Sequence, residues 1–143
     1  MQTLGELSLA LGSHTVAQAT EWLDHIAHAQ QWPSRTQFKL RLCLDETLTN
    51  TVMHGFTHTE HSATPCIELS LRQEDDQLTL TVRDNGIPFD PTAQASRDLD
   101  TSLETAQIGG HGLRLMRHYL SDLRYQRRDG WNQLELVTQI DPA

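Results

Sequence analysis

The chain has no apolar run near the roughly 20 residues that span a bilayer, and its opening "MQTLGELSLALGSH" lacks the basic stretch that begins a secretion signal. These absences argue against a membrane or an exported protein and lead us to expect a cytoplasmic one. Basic residues are also scarce. Eleven Lys and Arg stand against nineteen Asp and Glu, a formal charge of −8, which repels a phosphate backbone and argues against nucleic acid as a direct partner. Only two cysteines occur, Cys43 and Cys66, with no CxxC or Cys/His ligand spacing, so they read as small buried hydrophobes rather than redox or metal groups. Three of the eight histidines, His54, His58 and His61, fall in "HGFTHTEH". The last two lie in a Thr- and Ser-rich stretch that reads as surface loop, which makes zinc a poor reading. There is no repeat, low-complexity tract or linker. At 143 residues and 37% hydrophobic content the expectation is a single domain over residues 1–143 with a core of its own.

What the chain does have is two clear hydrophobic periods. "LSLAL" reads as a short strand, and it is followed by a helix in which Val16, Ala19, Leu23, Ile26 and Ala27 keep helical spacing up to Pro33. A long central helix then starts at Pro33 and Ser34, the serine placed as a cap, and meets no breaker before Gly55. From Cys66 the period is two. Ile67, Leu69 and Leu71 alternate with polar residues, as do Leu78, Leu80 and Val82, and "QEDD" joins the two runs as a hairpin. Residues 92–108 are mostly small or polar and too long for an idle connection, so they read as a lid. A third helix carries Leu113, Met116 and Leu120, and two last strands flank Asp129-Gly130. Strands that alternate have one covered face. The order β-α-α-β-β-loop-α-β-β therefore implies an α+β, two-layer α/β sandwich with a mostly antiparallel sheet and the helices on one side.

Three features carry chemistry. On the central helix Glu46, Asn50 and His54 recur every fourth residue, within an arc of roughly 80°, beside an apolar stripe of Leu44, Leu48 and Val52. A solvated stripe is the plain reading, but Asn and His are mediocre helix formers with strong hydrogen-bonding capacity. At the end of the second alternating run, Asp84 shares parity with Leu78, Leu80 and Val82. Its carboxylate therefore points to the core face, where it needs a partner such as an amino group. It can also be read as an ordinary turn residue in "DNG". Finally, Gly109, Gly110 and Gly112 open the third helix in "IGGHGLRL", where backbone N–H groups and the helix N-terminus favour a phosphate. The "GK[ST]" of a P-loop is missing, and no strand directly precedes as in a Rossmann turn.

Taken together, "ETLTNTVMHG", "DNGIPFDP" and "IGGHGLRLM" resemble the N-box and the two glycine boxes of the GHKL ATPases. The compact length, the His-Gly after the N-box and the "PFDP" narrow the resemblance to the anti-sigma factor serine kinases of the RsbW and SpoIIAB type. It runs from about residue 7 to residue 140. It implies the Bergerat ATP-binding fold, with ATP and Mg²⁺ as cofactors. By the same resemblance Asn50 is the Mg²⁺ ligand and Glu46 the general base. Asp84 accepts from the adenine amine, Gly86 gives the base room, and Gly109, Gly110 and Gly112 line the triphosphate. Partners implied are a STAS-domain anti-anti-sigma protein as phosphoacceptor, a sigma factor, and a second copy in a homodimer. No phosphoacceptor helix pair precedes the domain, so autophosphorylation on histidine is not expected. Many relatives end in a strand with "GT" whose Thr assists adenine binding. Here "GWNQLEL" stands instead, with Asn132 as the substitute. Two readings follow: a serine/threonine protein kinase acting on a STAS protein, and alternatively a nucleotide-dependent binding switch without productive transfer.

Overall fold

A computed structural model describes residues 1–55, 64–94 and 108–142. Strand β1 (Gln2–Ala10) leads into helices α1 (Thr15–Ala29) and α2 (Ser34–Asn50). Strands β2 (Cys66–Glu74) and β3 (Gln77–Asp84) follow, then α3 (Ile108–Tyr119), β4 (Asp122–Arg128) and β5 (Trp131–Gln139). The five strands form one antiparallel sheet in the order β1-β2-β3-β5-β4. The α+β reading and the element order expected from periodicity are both observed.

The register arranges the inner face in rows that run across the strands. Gly5, Leu71, Leu80, Leu136 and Leu123 form one row, and Leu7, Leu69, Val82, Leu134 and Tyr125 the next. The third row is Leu9, Ile67, Asp84, Asn132 and Arg127, apolar on the β1 side and polar on the β4 side. The helices pack over these rows, and Ala19, Leu23, Leu40, Leu44, Leu48 and Met116 share the core with them. The opposite face of the sheet is polar and carries ion pairs Arg83–Glu68 and Arg72–Glu135, with Arg83 also stacked over Trp131 at 4.8 Å.

Several local expectations need correction. Strand β1 starts at Gln2, five residues earlier than "LSLAL" suggested. It is an edge strand with a register shift between Thr3 and Gly5, so its first half shows no alternation. Gly5 sits close under α1, and a Cβ there would lie 2.6 Å from Ile26 Cδ1, so a larger residue would make that side chain shift. Ser34 does not cap α2. Pro33 occupies the cap position with extended ψ, and its carbonyl accepts from the N–H groups of Thr36 and Gln37. Past Asn50 the helix widens into a π-turn over Thr51–Gly55, a distortion that tends to occur at functional sites. Thr51 Oγ1 donates back to the Thr47 carbonyl there, at 2.9 Å. Cys43 is fully buried as expected, but Cys66 is half-buried. It sits on the outward parity of β2, with Ser8 Oγ 3.6 Å from its Sγ. The Asp129-Gly130 hairpin turn has both residues at positive φ, 54° and 83°, as a type I′ turn requires.

Candidate functional site

The polar end of the third row faces the C-terminal end of α2 across a cavity. Thr47, Asn50 and Thr51 line it from the helix side, and Val82, Asp84, Asn132, Leu134 and Tyr125 from the sheet. Phe89 and Pro91 come from the segment after β3, and Met116 from α3. Of the residues singled out in the sequence, Asn50, Asp84 and Asn132 meet here as lining groups. All three are buried, at 8%, 6% and 4% exposure. Gly86 is also buried, and its N–H donates to Asp84 Oδ1 at 2.9 Å.

Asp84 is held hard by its neighbours. Asn132, its register partner on β5, donates from Nδ2 to the same Oδ1 at 3.0 Å. Both donors thus fall on one oxygen, and among the described residues Oδ2 receives none. Burial pushes the Asp84 carboxyl above the usual carboxylate range. The hydrogen bonds from Asn132 and Gly86 and the Arg127 charge pull it down without cancelling that rise. A carboxylate in this position is short of hydrogen bonds to its charged form, which suits a site that receives a donor from a ligand.

Asn132 is saturated by the protein. Its Nδ2 donates to Ile87 O (2.7 Å) as well as to Asp84, while its Oδ1 accepts from the Tyr125 hydroxyl and from Phe89 N–H (3.4 Å). Two donors and two acceptors are all that a carboxamide offers. The orientation is also fixed, since the carboxylate cannot donate and the backbone N–H cannot accept. Asn132 therefore lines this cavity with its amide donors and acceptors already engaged by the protein, one of them by Asp84. Arg127 Nη1 adds a bond to Gly86 O at 2.8 Å. The other flank of the "DNG" turn is tied down by Asn85, whose Oδ1 accepts from Cys66 N–H and whose Nδ2 donates to Thr64 O, each at 2.8 Å.

Glu46 lies one turn before Asn50 on α2, half-buried and outside the cavity lining. Gly109, Gly110 and Gly112 fall within the first turns of α3. Thr47 Oγ1 contacts Met116 Sδ at 3.3 Å and so links α2 to that helix. Arg117, farther along α3, donates to Thr92 O at 3.0 Å. The expected lid spans residues 92–108, of which 95–107 lie outside the described residues, as do His58, His61 and the side chain of His54. The sequence reading missed Thr47, Tyr125 and Arg127. The signal for the last two was the parity of "LRYQRR", which sends Leu123, Tyr125 and Arg127 to one face.

Comparison with known proteins identifies the family. The family of the histidine kinase-like ATPase domain matches residues 10–138. The fold and that match define the class, a GHKL-type ATP-binding domain. The serine/threonine-protein kinase BtrW of Bordetella bronchiseptica is 47% identical over 136 residues, which cover 95% of this chain and 94% of that protein. An anti-sigma F factor from Pasteuria penetrans is 29% identical over 91 residues, 64% of this chain and 59% of that one. The chain belongs to the histidine kinase-like ATPase family and, within it, to the anti-sigma factor serine/threonine kinases. Two solved structures share the fold at low identity. One, carrying the RsbU and RsbW domains from Mycobacterium tuberculosis, has a TM-score of 0.64 at 14% identity, covering 97% of this chain and 34% of that one. The other is a chain of the SiaB-SiaC complex from Pseudomonas aeruginosa, with a TM-score of 0.60 at 13% identity, covering 97% and 91%. No described helix is long and apolar enough to cross a membrane.

Proposed function

We propose that this chain transfers the γ-phosphoryl group of ATP to a serine of a STAS-domain anti-anti-sigma protein, giving ADP and the phosphoserine. The observation that carries the reading is the buried carboxylate of Asp84 in a cavity shared with Asn50, with Glu46 one helical turn away. Asp84 accepts from the adenine amine, and Gly86 leaves space for the ring. Asn50 offers a hard amide oxygen suited to Mg²⁺, which ligates oxygen and is commonly shared with the phosphates of a nucleotide. When bound, the metal supplies charge neutralisation on the phosphates. Glu46 takes the proton of the attacking hydroxyl. Gly109, Gly110 and Gly112, at the start of α3, offer backbone N–H groups and a favourable helix end to the phosphates.

The kinase name of the Bordetella relative supports transfer to a hydroxyl side chain, and the anti-sigma F relative supports a sigma factor as second partner. The SiaB-SiaC complex is a relative in fold that assembles with another protein. A homodimer and a cytoplasmic setting complete the reading. The test is incubation with radiolabelled ATP, Mg²⁺ and purified STAS proteins encoded near the gene. Label on a serine of one of them is expected. If no STAS protein is labelled, yet one binds more tightly in the presence of ATP, the kinase reading fails in favour of a nucleotide-dependent switch.

A further inference from the structure

The adenine assignment of Asp84 leaves open what aims its carboxylate. A carboxylate at a strand end turns about its terminal torsion at little cost, because that torsion is broad. To discriminate between nucleobases it must present one oxygen in one direction. Here Oδ1 is engaged twice, by Gly86 N–H and Asn132 Nδ2, which leaves Oδ2 for the cavity that Asp84 lines. The Asn132 amide cannot swing away, since all four of its hydrogen-bonding positions are used. The Tyr125 hydroxyl fixes the oxygen end, and burial pushes that phenol up, so it remains protonated and able to donate. Asp84, Asn132 and Arg127 stand in one cross-strand row, so the backbone ladder itself sets their spacing. The same strand pair also grips the loop after Asp84, through Asn132 to Ile87 O and Arg127 to Gly86 O.

We propose that Asn132, oriented by Tyr125, is the positioning residue that turns one Asp84 oxygen into the cavity, and that the pair sets selectivity for a 6-aminopurine over a 6-oxopurine nucleotide. The inference rests on the adenine reading of Asp84. A 6-amino group donates to Oδ2, whereas a 6-oxo group brings lone pairs against it, and a site built to receive an N–H rejects the analogue that lacks it. A wandering carboxylate loses this contrast even though the pocket keeps its shape.

The test is calorimetric titration of the full chain with Mg²⁺-ATP and Mg²⁺-ITP, with thermal unfolding of each variant alongside. Wild type is expected to prefer ATP strongly. Asn132→Ala should lower the ATP:ITP affinity ratio by about 10- to 100-fold, the range for one hydrogen bond to a charged group, with the loss falling on ATP. Asn132→Ser, which keeps a donor, should recover part of the ratio. Tyr125→Phe should lower it by about 2- to 10-fold, the worth of one neutral hydrogen bond. If Asn132→Ala weakens ATP and ITP equally, or leaves the ratio unchanged, Asn132 is only structural and the proposal is overturned while the adenine role of Asp84 stands. If wild type itself does not discriminate, the adenine reading falls and the proposal with it. If Asn132→Ala does not fold, Tyr125→Phe, which removes one hydroxyl, carries the test, and an unchanged ratio there overturns it.

Discussion

Replacing Asp84 with asparagine exchanges one oxygen for an NH₂ group and should separate the cost of its buried charge from its proposed contact with adenine. In the ligand-free protein the residue is 6% exposed, and burial raises its pKa above the ordinary value against the pull of Asn132, Gly86 and Arg127. A carboxyl whose folded pKa exceeds its unfolded one contributes stability that is full below the unfolded pKa and lost as pH rises through the folded pKa. At neutral pH the charge therefore costs the empty protein stability. Asparagine removes that cost, because its Oδ1 can still accept from Gly86 N–H and Asn132 Nδ2. The Asp84→Asn protein without nucleotide should melt higher than wild type at pH 7, with the gain shrinking as pH falls below the carboxyl's titration. Nucleotide binding should move the other way. The Nδ2 atom now faces the cavity and sets a donor against the adenine amine, so about 1.5–3 kcal/mol of charged hydrogen bonding is lost, roughly 10- to 100-fold in Kd. At a nucleotide concentration of 100 Kd, wild type gains about 2.7 kcal/mol from binding, whereas a variant weakened 100-fold gains about 0.4 kcal/mol at the same concentration. Thermal unfolding with and without Mg²⁺-ATP should therefore show the order of stability reversing. Equal ATP affinity in both proteins refutes the adenine contact, and a lower melting temperature for the empty variant refutes the desolvation argument.

Glu46→Ala should bind Mg²⁺-ATP within about twofold of wild type but transfer phosphate about 10²–10⁴-fold more slowly, the contribution typical of a general base. Single-turnover assays beside calorimetry decide it, and undiminished transfer places the base elsewhere. Asn50→Ala should instead lose metal-dependent ATP binding and transfer together, and retained Mg²⁺-dependent affinity counts against a ligand role. At the other end of α2, burial raises the Asp141 carboxyl, but the hydrogen bonds from Lys39 and Thr36 and the charges of Lys39 and Arg35 together leave it lowered. A depressed carboxyl gives stability that is present above its unfolded pKa and lost as pH falls through the folded one. Lys39→Met should therefore cost roughly 1–3 kcal/mol at pH 7 and progressively less as pH falls from the ordinary carboxylate range through the depressed Asp141 titration. A pH-independent difference in denaturant midpoints contradicts this. The Cys43 thiol is pushed up to about 12 by burial and by the Glu46 charge, so iodoacetamide at pH 8 should alkylate Cys66 and leave Cys43 unmodified in peptide mass maps.

Where one physical rule governed a segment, its structure could be read from the sequence. Period-two alternation in β2 and β5 reflects one covered face, and the same parity in β3 sends Asp84 to the core side, although the central strand also buries Thr79 and Thr81 on its other face. The Asp129-Gly130 turn was legible because few other residues tolerate positive φ. What escaped depended on partners distant in the chain. The first half of β1 hides behind Gly5, a poor strand residue that lies close under Ile26 and Trp22 of α1. Asn50 belongs by spacing to a stripe separate from the packed face, yet it is buried where the end of α2 and the sheet line one cavity. Tyr125 and Arg127 carry no motif, and their place in the site comes from the pairing of β4 with β5 beside β3.

The rows of the sheet also explain why the site sits at one end of the core and not in its middle. Two rows of leucine, valine and their neighbours precede the row of Asp84 and Asn132, and they supply burial that does not depend on any ligand. A polar row inserted between them would have had to satisfy every donor and acceptor internally, since an orphaned buried group costs about 1–3 kcal/mol. Placed last, against the π-turn of Thr51–Gly55 and the cavity, the row can leave one carboxylate oxygen without a donor among the described residues. Gly86 N–H and Asn132 engage the other Asp84 oxygen, and Asn132 is itself saturated by Asp84, Tyr125, Ile87 and Phe89. The saturated members hold the unsatisfied one in place, and the apolar rows behind them keep the arrangement rigid. Mutations in those apolar rows should therefore weaken nucleotide binding only as far as they destabilise the fold, whereas changes to Asn132 or Tyr125 should alter which nucleotide binds even where stability is unchanged.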